Sequence, residues 1–127
     1  MPLPHRVNTV VTLVTGGRSA GRESAIAASL PSASTVALIL EGMPDGGPSL
    51  DAVIARTDVT IVRIAPGCVC CTGNLVMTVT LNRLLRRHPA RLFISLASST
   101  HLPQIRQFLT QAPYDALLTL TDDLHCL

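Results

Sequence analysis

The chain has 127 residues, of which 47% are apolar and only 14% charged, with a formal net charge of +2. That length fits one domain with a real hydrophobic core. A charge this small and an aromatic set of two Phe, one Tyr and no Trp argue against nucleic acid as a partner. Val7 to Thr15 is β-branched and reads as a first strand, ended by Gly16 and Gly17. Arg22 to Leu30 places Ile26, Ala27 and Leu30 on one helical face, and Pro31 stops that helix. Thr35 to Leu40 is a buried-type strand, and Gly42 to Ser49 is a loop by composition. Asp51 to Arg56 suggests a short helix, and Val59 to Ile64 a third strand closed by Pro66 and Gly67.

Asn74 to His88 reads as a helix whose apolar side is Leu75, Val79, Leu81, Leu84 and Leu85. Arg91 to Ala97 follows as a fourth strand, Pro103 to Leu109 as a helix, and Ala116 to Thr121 as a fifth strand. Alternation of this kind predicts an α/β fold: a mainly parallel sheet of about five strands with flanking helices, in one domain over residues 1–127. The longest uninterrupted aliphatic stretch, Val36 to Leu40, falls far short of the ~20 residues that span a bilayer. No membrane partner is expected. The N-terminal region lacks an apolar leader with a cleavage site, so the cytoplasm is the expected compartment.

The first turn carries chemistry. Gly16-Gly17-Arg18-Ser19-Ala20-Gly21-Arg22-Glu23-Ser24 has the glycine spacing of a phosphate loop, G-x-x-x-x-G-K-[ST]. Such glycines let backbone N–H groups surround an anion at a helix N-terminus. The side chains depart from the pattern. Arg22 stands in place of the Lys, and Glu23 in place of the hydroxyl that would hold Mg²⁺. No lysine exists anywhere in the chain; every one of the ten basic residues is Arg. Arg22 and Glu23 are unlike charges that pairing would bring together, shutting the loop. The plainer reading is a tight strand-to-helix turn with Glu23 favoured by the helix dipole.

Pro66-Gly67-Cys68-Val69-Cys70-Cys71-Thr72-Gly73 is the most specific feature. Clustered thiolates are soft ligands for zinc or Cu(I). Three thiols leave a tetrahedral shell short of one ligand, for which Glu41, His101 and Asp45 are candidates. A redox C-x-x-C formed by Cys68 and Cys71, and plain burial of small apolar side chains, are the competing readings.

These two motifs together resemble the CobW family of GTPases, the COG0523-type metallochaperones. The family loop is G-F-L-G-A-G-K-T-T against Gly16 to Ser24 here, and its G-C-x-C-C motif is matched by Gly67 to Cys71. Leu40-Glu41 keeps the Glu of the family's N-E, and Thr121-Asp122-Asp123 matches the region of its V-D-A. Leu96 to Pro103 keeps a Ser and the Pro of E-T-S/T-G-x-A-D-P but not the Glu or the Gly. No N-K-x-D occurs.

The resemblance implies a P-loop NTPase-like three-layer architecture and a protein related to cobalamin biosynthesis or metal delivery. It implies zinc or cobalt bound at Cys68, Cys70 and Cys71 with Glu41 or His101. GTP with Mg²⁺ would lie at Gly16, Gly17, Gly21, Arg22, Glu23 and Ser24. Loss of the Lys and of the Mg²⁺ hydroxyl points to a metal-binding protein that does not hydrolyse nucleotide. A residual GTPase and a regulatory partner of a full-length relative are the alternatives. A homodimer or a complex with such a relative is expected, through the fourth and fifth strands or the helix from Pro103 to Leu109.

Overall fold

The computed structural model describes residues 8–31, 34–42, 56–64 and 75–126. Three elements form the first half: β1 (Thr9–Thr15), α1 (Ser19–Ser29) and β2 (Val36–Glu41). Next come β3 (Val59–Ile64), α2 (Leu75–Leu85), β4 (Arg91–Ser95) and α3 (Leu102–Leu109). A 3₁₀ turn (Tyr114–Ala116) leads to β5 (Leu118–Leu120) and β6 (Leu124–His125). Every described strand pairing is parallel, in the order β3-β2-β4-β1-β5, with β6 also on β1. The expected α/β sheet is therefore present. The short helix expected over Asp51 to Arg56 lies almost wholly outside the described residues.

Burial on both faces explains the near-continuous apolar strands. On one face, Val11, Leu13, Ile39, Leu92, Ile94 and Leu96 pack against Met77, Leu81 and Leu84 of α2 and Ile105 and Leu109 of α3. On the other, Val14, Leu38, Leu40 and Phe93 pack against Ile26 of α1. The result is three layers, helices on both sides of one sheet. No described helix is long and apolar enough to cross a membrane.

The chain's direction of travel sets the functional end. From β1 it crosses past β4 to reach β2, and from β4 it crosses past β1 to reach β5. That reversal opens a crevice beyond the C-terminal ends of β1 and β4, the place where ligands bind in open parallel sheets. Gly16, Glu41 and Leu96 all follow or end strands at that edge.

Several boundaries differ from expectation for physical reasons. The helix α1 starts at Ser19, three residues before Arg22, so the phosphate-loop sequence is partly helical. The stripe of α2 that meets the core is Met77, Leu81 and Leu84, whereas Leu75 and Val79 are 68% and 51% exposed. The fifth strand shrinks to Leu118–Leu120, and β6 is an unexpected addition. Between the pairs Val11↔Leu120 and Val14↔Leu124, β1 advances three residues and its partner four. One residue is thus bulged out at Thr121–Asp123, which breaks this edge into two short pieces. Short, bulged edges resist further pairing.

Candidate functional site

Two groups of residues gather at the C-terminal edge of the sheet, one on each face. The first surrounds the turn from β1 into α1. Gly16 and Gly17 have φ values of +85° and +59°, a left-handed pair that glycine adopts readily. Gly16 is also pressed from outside. A Cβ there would collide with the backbone carbonyl of Cys126, which follows β6. The Cys126 N–H donates to the Thr15 carbonyl at 2.7 Å, and His125 Nδ1 lies 3.2 Å from Thr15 Oγ1.

Arg22 lies inside the turn and is 2% exposed. Its Nη1 donates to the carbonyls of Gly16 and Gly17 at 3.2 and 3.0 Å. Its Nη2 donates to Ser19 Oγ at 3.1 Å, and its Nε to Ser95 Oγ at 2.7 Å. Glu23 points elsewhere. Both of its carboxylate oxygens accept from Arg63 of β3, at 3.0 and 2.9 Å. The bidentate partner raises the Arg63 pKa further, against some desolvation. Arg22 and Glu23 therefore each have a separate partner and do not shut the loop by pairing with each other. Nor is Glu23 a first-turn acid facing the helix dipole, because α1 begins at Ser19. Gly21, inside α1, has open space where a Cβ would stand, and Ser24 is exposed.

The second group lies on the α2/α3 face. Glu41, the last residue of β2, is 6% exposed, and its Oε1 accepts the Ala97 N–H at 2.7 Å. Ile64 and Leu75, the described residues that flank the Cys68, Cys70 and Cys71 segment, end β3 and begin α2. The three cysteines and Asp45 themselves lie outside the described residues. His101 is exposed and precedes α3. Among the described residues, no three His, Cys, Asp or Glu side chains converge on one point. Leu96, at the position where the resembled motif has an acid, is fully buried in the core.

Sequence reasoning did not single out Ser95 or Arg63. A serine ending an apolar strand and an arginine interrupting one were the available signals.

Comparison with known proteins places this geometry. The family model of the CobW/HypB/UreG nucleotide-binding domain matches residues 10–123. The chain belongs to that family. This CobW-type domain is also similar to the zinc chaperone YeiR of Escherichia coli strain K12, with 37% identity over 70 residues. The matched stretch is 54% of the chain and 21% of YeiR, so the chain spans about a fifth of that relative. No solved structure matches it. The described sheet with helices on both faces is the P-loop NTPase-like architecture expected of the family.

Proposed function

We propose that this CobW-type domain binds a transition metal, zinc or cobalt, as cargo and does not hydrolyse nucleotide. Cys68, Cys70 and Cys71 are the thiolate ligands on this reading, with Glu41 or His101 as the fourth. The observation that carries it is the position of Glu41. A buried carboxylate ends β2 at the same sheet edge as Ile64, and the cysteine segment leaves from Ile64. A buried carboxylate is costly unless it has donors or a cation to face. One Glu41 oxygen accepts the Ala97 N–H, and carboxylate oxygen is among the ligand types that complete a zinc shell. The similarity to a zinc chaperone supports the same reading.

The loop fits Mg²⁺-nucleotide poorly. The Arg22 guanidinium is engaged with backbone carbonyls, and the Glu23 carboxylate is held by Arg63. Phosphoryl transfer draws on a cation at the β- and γ-phosphates and a hydroxyl on Mg²⁺. On this reading a nucleotide at Gly16, Gly17, Gly21 and Ser24 would lack those two groups. A cytoplasmic metal buffer, or a partner of a second copy or of a full-length relative, is the role that follows.

Metal content of the fully reduced protein, purified without chelators, tests the reading. One zinc or cobalt per chain, lost with Cys68→Ser, is the expected result. A chain that takes up neither metal overturns it.

A further inference from the structure

The turn from β1 into α1 gathers oxygens. The carbonyls of Gly16 and Gly17, Ser19 Oγ and Ser95 Oγ all face one group, the guanidinium of Arg22. They come from three places: the loop, the first residue of α1 and the last residue of β4. Four donor contacts from one planar fork, on a side chain 2% exposed, are more than a surface arginine makes. The other arginines on the α1 face are held differently. Arg63 is bound by a carboxylate, and Arg91 lies over the Phe93 ring at 4.8 Å with one hydroxyl acceptor, Thr12 Oγ1, at 3.1 Å, and no backbone carbonyl among its described acceptors. The four oxygens that Arg22 donates to, two carbonyls and two hydroxyls, are all uncharged.

We infer that this turn is a cation cradle occupied by the chain's own Arg22 guanidinium, which acts as a permanent internal ligand that keeps the loop folded without nucleotide. An anion-binding loop is arranged by its N–H groups around a negative ligand. Here the carbonyls of the two left-handed glycines are drawn to a positive one. The Cys126 carbonyl pressing on Gly16 limits the loop's freedom from the outer side. Without the guanidinium, four oxygens at the sheet edge lose a charge-assisted donor at once, and each such bond is worth about twice a neutral one. Ser95 is the positioning residue, since its hydroxyl alone reaches Nε and fixes the plane of the fork. The inference stands on the loop alone and does not depend on metal binding at the cysteines.

The test is chemical rescue of Arg22→Ala, read by thermal unfolding. Arg22→Ala is expected to lower Tm by roughly 5 °C or more, given the stability such bonds confer and the response of a domain this size. Guanidinium chloride at about 10–20 mM should restore part of that loss in the variant and none in the parent, while equal NaCl or urea restores nothing. Where Arg22→Ala does not fold, Arg22→Met and Ser95→Ala decide. Ser95→Ala should lower Tm in the parent and leave it unchanged in the Arg22→Met background. An Arg22→Ala chain with the parent's Tm, a loss that guanidinium does not rescue, or an equal effect of Ser95→Ala in both backgrounds overturns the inference.

Discussion

Glu23 of α1 and Arg63 of β3 face each other as two parallel N–H···O bonds of 3.0 and 2.9 Å. The carboxylate side chain is 8% exposed and the guanidinium 32%, so the pair lies half inside the protein. It joins the first helix to an edge strand of the sheet and uses both oxygens of the residue at the Mg²⁺-ligand position. Removing Arg63 leaves Glu23 without its counter-charge in a poorly hydrated place. Arg63→Ala should cost about 1–3 kcal/mol, between the values for exposed and buried pairs. Glu23→Gln with Arg63→Ala should cost less than the sum of the two single changes. Denaturant unfolding of the four chains measures this, and strict additivity would show that the pair contributes nothing.

No GTP or ATP turnover above background is expected. Replacing the Lys by a committed Arg22, and the Mg²⁺ hydroxyl by a committed Glu23, removes two groups that phosphoryl transfer relies on. Gly21→Ala is a useful control, because nothing lies within 4 Å of the added Cβ. Inside a helix that change should raise stability by about 0.5–1 kcal/mol. Phosphate release that the parent sustains and Gly21→Ala abolishes would refute the prediction.

One zinc-like ion per chain should bind, and Cys68→Ser or Cys71→Ser should remove it. Thiolates must lose their protons to ligate, so affinity should fall as pH is lowered. Glu41→Gln should weaken binding without abolishing it, with Ala97 N–H still able to donate to the amide oxygen. Competition against a chromophoric chelator gives each affinity. A chain with all three cysteines changed to Ser that binds as well as the parent would refute the assignment.

Much of this fold is legible in the residues. The third strand runs from Val59 to Ile64 as the β-branched pattern says, and the glycine pair ends β1 where expected. The helix α2 was harder to orient. Its sequence is apolar on several sides, so Leu75 and Val79 look as core-like as Met77, Leu81 and Leu84, and only packing selects the buried stripe. Arg22 and Glu23 suggest a pair as neighbouring opposite charges. Consecutive helical residues do not face each other, however, and each side chain finds a partner on a different strand. The strand β6 has two residues, too few to show any period. The cysteine motif is plain in sequence, because its meaning lies in residue type and spacing rather than in a packed face.

Tyr114 offers a test of the α2/α3 face that needs no label. Its ring is buried in that core and lies 5.2 Å from the Phe108 ring, and its hydroxyl donates to Asn82 Oδ1 at 2.8 Å. Burial raises its pKa above the ordinary 10, and hydrogen bonds with Asn82 and Thr78 offset only part of that rise. The charged phenolate is the form that burial disfavours. A folded-state pKa above the unfolded one means that the stability it carries is complete below about pH 10 and is lost as pH climbs through the folded value. Because Tyr114 is the single Tyr and Trp is absent, phenolate absorbance reports on this residue alone. The folded protein should ionise at higher pH than the same chain in denaturant, and Tyr114→Phe should flatten the alkaline loss of stability. Matching titrations in the folded and denatured states would show that Tyr114 is not held in this core.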